Sequence, residues 1–269
     1  KYNLNSRNEL NKEIAASGSN AETHNDHLEI KYELVQDINH LSSWLKKAQD
    51  LGVLAFDTET TSLNPMLAEL VGFSLSVYPG IACYVPVAHI NQREQVSLGF
   101  DTEETSTTEN KDAIKQISRD EAMALIRPIL ENKSVLKIGH NIKYDTKILS
   151  HYGVDIFPIE DTMLISYTLE GGLHKHNLDD LAQLHLDHQT IKFKEVAGSG
   201  KSQITFDKVP LKEALNYAAE DADITLRLHK TLKPRLALEH MVTIYEKLER
   251  PLSYILTKME LEGIRVDVD

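Results

Sequence analysis

Two carboxylates stand two positions apart at the end of an apolar run. Residues 53–61 place four apolar or small side chains directly before Asp57 and Glu59. Residues i and i+2 of a β-strand point to one face, so the two acids are predicted to stand side by side where a buried strand leaves the core. Because burying paired anions is costly, the pair favours a bound cation, and oxygen ligands suit Mg²⁺ or Mn²⁺. The alternative is a strand end with two solvated acids.

Two further carboxylates have neighbours that fit the same chemistry. Asp145 lies just inside a predicted helix that begins at Asn141, whose side chain is expected to cap it. Tyr217 and Asp221 are four residues apart, so they share one face of a predicted helix at about 6 Å. The two alanines between them would let this helix pack closely on a sheet. Each of these three acidic motifs is common by itself, but the three in this order along one chain are much rarer.

Composition and charge exclude several classes of protein. Of 269 residues, 41% are hydrophobic and 26% charged, as in ordinary globular domains. No apolar run approaches the roughly 20 residues of a membrane span, and no signal peptide opens the chain. The single cysteine, Cys83, excludes an internal disulfide and fits a reducing cytosol. A net charge of −12 argues against a broad basic nucleic-acid surface, but not against a site where metal ions supply the positive charge.

Apolar periodicity predicts a layered α/β domain, because strands are followed by alternating helices. Ser118 and Glu121 form a capping box that opens one of these helices. The expected helices cover residues 38–48, 118–132, 141–149, 161–169, 177–186, 211–232 and 245–264. The expected strands lie within residues 53–61, 70–77, 81–88 and 135–139, the middle two forming an antiparallel hairpin. Residues 191–205 are expected to form a loop.

Two polar segments lack any apolar pattern. Residues 1–28 are predicted to be a tail or linker, and residues 91–117 a mobile surface insertion. The chain opens on Lys1 rather than Met, which is typical of a fragment. The apolar face of its last helix predicts the start of a further domain.

The three acidic motifs resemble those of the DEDD exonuclease superfamily, in the subgroup whose third motif carries tyrosine. From about residue 28 to 236, the chain is similar to the 3′–5′ exonuclease domain of bacterial family A DNA polymerase I. The resemblance is carried by Phe56-Asp57-Thr58-Glu59-Thr60, Tyr84-Val85-Pro86-Val87-Ala88-His89, Lys143-Tyr144-Asp145, Asp161-Thr162-Met163-Leu164 and Tyr217-Ala218-Ala219-Glu220-Asp221-Ala222-Asp223.

This resemblance implies a fold and a division of the chain. The fold is ribonuclease H-like, with a central mixed β-sheet flanked by helices. The implied parts are a tail or linker over 1–28, the exonuclease domain over 29–240, and a truncated start of the polymerase domain over 241–269. The nucleotide-adding site of the family lies beyond this chain.

The resemblance also implies a two-metal site with Mg²⁺ or Mn²⁺, or Zn²⁺ at one position. Asp57, Glu59 and Asp221 would hold the first cation, which activates a water. Asp57, with Asp145 through water, would hold the second, which stabilises the leaving 3′-oxygen. Tyr217 would orient the water with help from Glu59, and 5′-mononucleotides would be released from a DNA 3′ end.

Substrate contacts follow from the same resemblance. Leu63 and Phe193 would wedge against the terminal bases, although both could instead be core residues. His140 stands where the family has glutamine, and Lys175 stands near the position of a usual arginine. The contacts with the DNA strand are therefore expected to differ in detail from those of the family. The implied contacts are Leu63, His140, Asn141, Lys143, Tyr144 and Phe193.

The remaining histidines, among them His174 and His176, show no zinc-ligand spacing and are predicted to lie on the surface. The expected partners are a single-stranded or frayed 3′ end of DNA and the polymerase domain of the same parent chain. The expected protein is a monomer of the bacterial cytoplasm, at the nucleoid, without membrane contact.

Three alternatives are weighed against this reading. A ribonuclease D-like enzyme that trims RNA is disfavoured by residues 248–267, which resemble the start of a polymerase domain. An inactive exonuclease-fold scaffold would have lost metal carboxylates, whereas all four are present together with Tyr217. A general nucleic-acid-binding module is disfavoured by the acidic charge and the lack of a basic stripe.

Overall fold

The fold is centred on a six-stranded mixed β-sheet, seen in a computed structural model that describes residues 28–90 and 114–267. The strands are β1 (Lys31–Leu34), β2 (Val53–Thr60), β3 (Leu70–Tyr78), β4 (Ile81–Pro86), β5 (Leu136–Gly139) and β6 (Ile159–Asp161), in the spatial order β1-β4-β3-β2-β5-β6. The helices are α1 (Ile38–Leu51), α2 (Arg119–Leu130), α3 (Lys143–His151), α4 (Thr162–Glu170), α5 (Leu178–Leu186), α6 (Phe193–Ala197), α7 (Leu211–Leu238), α8 (Val242–Ile244) and α9 (Arg250–Glu262). A π-helical turn, Tyr245–Glu249, joins α8 to α9. The predicted mixed-sheet α/β fold is confirmed.

Strand β2 occupies the middle of the sheet and divides its side chains between two layers. It pairs with β3 in the antiparallel sense and with β5 in the parallel sense. Leu54 and Phe56 point into a core shared with α1, α2 and α3, whereas Ala55 packs against Leu226 of α7. Because side chains alternate along a strand, Asp57 and Glu59 fall on the α7 side.

The sheet face beneath α7 is lined with small residues. Directly opposite Asp57 and Glu59 on β3 lie Ser74 and Gly72, and Ser76 follows on the same face. Helix α7 meets this face with small residues of its own, Ala214, Ala218, Ala219 and Ala222, all buried. Small side chains on both surfaces let the helix axis approach the strands closely, so groups on α7 can reach the end of β2.

Most of the predicted elements are confirmed within a few residues. The hairpin of β3 and β4 is present, with its turn at Gly80 in a left-handed conformation (φ 79°) that favours glycine. Ser118 caps α2, Asn177 caps α5, and Gly263 ends α9. Among the described residues, no helix is both long enough and apolar enough to cross a membrane.

Several expectations are wrong in detail. Strands β1 and β6 are too short to show a period, and α6 interrupts the loop expected over 191–205. The predicted tail and insertion lie outside the described residues except for Leu28 and residues 114–117. Residues 114–117 belong to the packed domain, because Ile117 is buried and the Gln116 side chain is hydrogen-bonded to the backbone of His89. The Gln116 amide accepts from the His89 N–H and donates to the His89 carbonyl. The domain boundaries remain a prediction.

Candidate active site

Three carboxylates converge where β2 leaves the core. Oxygen atoms of Asp57, Glu59 and Asp221 lie within 4.8 Å of one another. Strand β2 supplies the first two on one face, and α7 supplies the third across the small-residue surface. Glu59 is buried, while Asp57 and Asp221 are half-buried and remain reachable from solvent.

Asp145 joins this group from α3 and is held by the strand itself. Its Oδ1 accepts hydrogen bonds from the Thr58 backbone N–H at 2.9 Å and from the Thr58 hydroxyl at 2.5 Å. Thr58 lies between Asp57 and Glu59 in sequence, so the bond fixes Asp145 beside both. The structure therefore brings together all four carboxylates that the sequence singled out.

The start of α3 is positioned differently from the prediction. Asn141 does not cap the helix: it adopts a left-handed conformation (φ 58°), and Ile142 occupies the N-cap position without a side-chain bond. The carboxylate of Asp161 instead accepts the backbone N–H groups of Asn141 and Ile142, each at 3.0 Å. Asp161 also caps α4, so one buried carboxylate orders both helix starts. Burial raises its pKa to about 6 despite these bonds.

Burial and repulsion by neighbouring anions raise the pKa of each of the four carboxylates, and for Asp221 those anions are Glu220 and Asp179. Desolvation is the larger cause throughout. The next cause for Asp57 is the charge of Asp221, and for both Glu59 and Asp145 it is the charge of Asp57. Without a neutralising cation, these groups therefore keep their protons to higher pH than ordinary carboxyl groups do.

The cluster fits divalent cations. Oε1 of Glu59 is buried and has no hydrogen-bond partner among the described residues, which leaves a ligand atom free inside the group. All donors are carboxylate oxygens, the set preferred by Mg²⁺ and Mn²⁺. The four carboxylates therefore fit the metal site that the resemblance implies.

Tyr217 stands one helical turn before Asp221, so the two side chains share one face of α7. Its ring is enclosed by Phe193 and Phe206, with ring centroids 6.0 and 5.9 Å away. Burial, followed by the charge of Asp221, raises the pKa of the Tyr217 hydroxyl far above its ordinary value. The hydroxyl therefore keeps its proton and acts as a hydrogen-bond donor.

An open cleft of about 540 Å³ gives access to the acidic cluster. Leu63 and Phe193 flank it and are exposed, Leu63 to 96%, so neither is a core residue. The Tyr144 hydroxyl donates to the Ser62 carbonyl at 2.6 Å and thereby holds the turn that carries Leu63. Phe206 also lines the cleft and was missed from the sequence, where the only signal was an aromatic residue directly after the loop expected over 191–205.

Three of the predicted substrate residues lie outside the lining of this cleft. Lys143 pairs with Glu260 of α9 at 2.5 Å. His140 is half-buried, with Nδ1 2.9 Å from the Thr162 hydroxyl. Asn141 and Lys143 instead border a separate cavity of about 140 Å³ beside α9. Their contact with substrate stays a prediction.

The histidines expected on the surface are partly enclosed. His174 and His176 are half-buried, with ring centroids 4.7 Å apart. Nδ1 of His176 is hydrogen-bonded to the Ser166 hydroxyl at 2.8 Å, and Nε2 of His174 lies 2.8 Å from Oε2 of Glu170. The surface prediction is wrong because the turn after α4 folds back on the helices.

A mixed sheet with acidic residues at the end of its central strand defines a ribonuclease H-like nuclease fold. The model of the 3′–5′ exonuclease family matches residues 32–237, and the chain belongs to that family. It is therefore a nuclease, and the resemblance drawn from its motifs is confirmed.

Two similar DNA polymerases are longer than this chain. DNA polymerase I of Rhizobium leguminosarum is 43% identical over 245 residues, covering 88% of this chain and 23% of that protein. DNA polymerase I of Pseudomonas aeruginosa is 36% identical over 266 residues, covering 97% of this chain and 27% of that protein. The chain thus spans about a quarter of the length of these relatives.

Solved structures share the fold at low identity. Brucella melitensis NrnC superposes with a TM-score of 0.60 at 21% identity, covering 87% of this chain and 94% of NrnC. The catalytic core of RRP6 from Trypanosoma brucei gives 0.59 at 15% identity, covering 85% of this chain and 53% of that one. These likenesses support the exonuclease-type α/β fold.

The raised carboxylate pKa values predict how metal-free stability depends on pH. A carboxyl group with a higher pKa in the folded state stabilises the protein below its unfolded pKa of about 4 and loses that contribution as pH rises. In chelator, the free energy of unfolding should therefore fall as pH rises above about 4. Asp57→Asn should weaken this fall, because it removes one of the carboxyl groups whose pKa burial and neighbouring charge raise.

Urea unfolding at a series of pH values measures the effect. Glu213→Gln, an exposed change on the same helix as Asp221, is the matched control and should follow the parent protein. Identical pH profiles for the parent and Asp57→Asn would contradict the assigned repulsion.

Proposed function

We propose that this chain is the proofreading part of a DNA polymerase I, removing 5′-mononucleotides from the 3′ end of DNA. The observation that carries the proposal is the convergence of Asp57, Glu59 and Asp221 in an open cleft flanked by exposed Leu63 and Phe193. The names of the relatives support DNA as the substrate and a polymerase domain as the partner. Those relatives are bacterial, which favours a cytoplasmic location beside the chromosome.

The four acidic residues would form two cation positions. Asp57, Glu59 and Asp221 would hold one divalent cation, and Asp57 with Asp145 would hold a second; we expect Mg²⁺ or Mn²⁺ because every donor is a hard oxygen. When bound, such cations supply activation of water and stabilisation of charge on the leaving oxygen. Thr58 keeps Asp145 turned toward the strand end, so this ligand is placed before any metal arrives.

Tyr217 would position the attacking water. Because its hydroxyl keeps its proton, Tyr217 can donate a hydrogen bond to that water or to a phosphate oxygen, but it cannot remove a proton. Attack on the terminal phosphodiester forms a new P–O bond and breaks the bond to the 3′-oxygen of the preceding nucleotide. The leaving oxygen takes up a proton and becomes the new 3′-hydroxyl.

The cleft suits an unpaired strand end. Leu63 stands almost wholly in solvent, and Phe193 is stacked on Phe206 with centroids 6.3 Å apart, so both offer apolar surface to a base. Stacking on such surfaces is tolerant of sequence. A proofreading nuclease requires that tolerance, since any mispaired base must be accepted.

The decisive experiment follows a 5′-labelled single-stranded DNA oligomer in Mg²⁺ or Mn²⁺. We expect stepwise shortening from the 3′ end that is abolished by chelator and reduced by at least about 1,000-fold in Asp57→Ala, because the variant loses a ligand of both cations. An RNA oligomer of the same sequence tests the ribonuclease alternative. A folded chain that shortens neither oligomer would support an inactive scaffold, and preference for RNA would contradict the proposed substrate.

Tyr217→Phe tests the role of the hydroxyl. Removing one positioning hydrogen bond should lower kcat by about 100-fold while the metal ligands stay in place. Single-turnover cleavage measured from pH 6 to 9 should keep its shape, because the hydroxyl does not titrate in this range. Tyr78→Phe, at an exposed tyrosine in the β3–β4 turn, is the control and should leave the rate unchanged. A rate for Tyr217→Phe equal to the control would exclude the role.

Leu63→Ala tests the proposed stacking contact. Loss of base stacking worth about 1–3 kcal/mol should raise KM for single-stranded DNA by about 5-fold or more, with a smaller effect on kcat. Leu67→Ala is the matched control, because Leu67 is 75% exposed in the same turn and does not line the cleft. Steady-state kinetics on a short oligomer provides the comparison. Equal KM values for the two variants would remove Leu63 from the substrate site.

A further inference from the structure

A second group of metal-binding side chains lies away from the acidic cluster and shares no residue with it. Glu170 ends α4, His174 lies in the following turn, and His185 is in the last turn of α5. Candidate ligand atoms of the three lie within 4.8 Å of one another. Nε2 of His174 is 2.8 Å from Oε2 of Glu170, and Nε2 of His185 is 3.3 Å from the same oxygen.

The contacts of His174 require a positive group between its ring and Glu170. Its Nδ1 lies 2.7 Å from the Lys175 carbonyl, and a carbonyl only accepts, so Nδ1 carries a hydrogen. Nε2 faces Oε2 of Glu170, which also only accepts, so either a proton or a metal ion must lie between these two atoms. Nε2 of His185 is buried without a hydrogen-bond partner among the described residues and approaches the same oxygen. One cation at this point would satisfy all three atoms.

The surroundings orient the three ligands as they do in known metal sites. Arg235 donates to the other oxygen of Glu170 at 2.7 Å and leaves Oε2 for the histidines. The Lys175 carbonyl fixes the His174 ring through Nδ1. Such outer partners of a metal-binding carboxylate and imidazole set the direction of their free atoms. The side chains of His174, Glu170 and His185 are 22%, 16% and 11% exposed, so an ion can enter from solvent.

We propose that Glu170, His174 and His185 bind a Zn²⁺ ion. Two imidazoles and one carboxylate form a ligand set that Zn²⁺ accepts, with a water at the fourth position, whereas Mg²⁺ prefers oxygen ligands alone. The ion would tie the end of α4 to α5 across the turn that carries His174 and His176. His176, in the same turn, contacts Tyr167 of α4, with ring centroids 5.5 Å apart.

The test is a Zn²⁺ titration by calorimetry on the metal-free chain carrying Asp57→Asn, with excess Mg²⁺ present. The substitution weakens the acidic cluster and Mg²⁺ competes for it, so Zn²⁺ binding there does not contribute to the measured heat. We expect one Zn²⁺ per chain, and an affinity that falls by at least about 100-fold in His174→Ala and in His185→Ala, since each loses a direct ligand. His151→Ala, at an exposed histidine at the end of α3, is the matched control and should bind as the parent does.

Two further readouts separate metal binding from a structural effect of the substitutions. Zn²⁺ should raise the Tm of the parent and of His151→Ala, but not that of His174→Ala or His185→Ala. Co²⁺ in place of Zn²⁺ should give visible absorption typical of four-coordinate nitrogen and oxygen ligands. Absence of saturable Zn²⁺ binding, or binding that survives in the His174→Ala, His185→Ala double variant, would overturn the proposal and leave a protonated histidine network with Glu170 and Arg235.

Discussion

Electrostatic repulsion among four carboxylates at the end of β2 is the interaction on which the rest of this structure depends. Asp57, Glu59, Asp145 and Asp221 come from three separate elements, and each has a raised pKa because it is poorly hydrated and close to other anions. A chain free to relax would separate them. The surrounding fold keeps them together, and such a group of close carboxylates offers the oxygen ligands that divalent cations prefer.

Packing and hydrogen bonds oppose that repulsion. The small residues between α7 and the sheet allow the helix to lie close enough for Asp221 to reach β2. Thr58 holds Asp145 through its backbone and its hydroxyl, and Asp161 anchors the turn before α3. The site is therefore built on a buried strand and two helices rather than on loops, and such supports hold ligands in position without metal.

Sequence patterns could predict the parts of the site that depend on local geometry. The i, i+2 spacing of Asp57 and Glu59 and the i, i+4 spacing of Tyr217 and Asp221 fix which side chains share a face. Asp145 could be singled out only as an acid near a predicted helix start, and the family resemblance supplied its role, because its attachment to Thr58 has no local signature. The mixed sheet followed from the hairpin and from the alternation of strands and helices.

Contacts between distant residues could not be predicted in the same way. Asn141 has the side chain of a helix cap, but the buried carboxylate of Asp161 takes over the backbone N–H groups and leaves Asn141 left-handed. Lys143 looks like a phosphate ligand in sequence, yet Glu260 on α9 pairs with it in the fold. Glu170 and His185 meet only because α4 and α5 pack together on α7.

Calorimetric titration of the metal-free chain with Mn²⁺ at pH 8 tests the central claim most directly. The account predicts saturable binding of at least one Mn²⁺ per chain, lost in Asp57→Asn and retained in His174→Ala. In a parallel titration at lower pH it also predicts that more protons are released on binding than ordinary carboxyl groups would release, because the pKa values of the clustered groups are raised without metal. A folded chain that binds no Mn²⁺, or binds it equally well without Asp57, would show that the four carboxylates do not form the metal site on which the proposed nuclease depends.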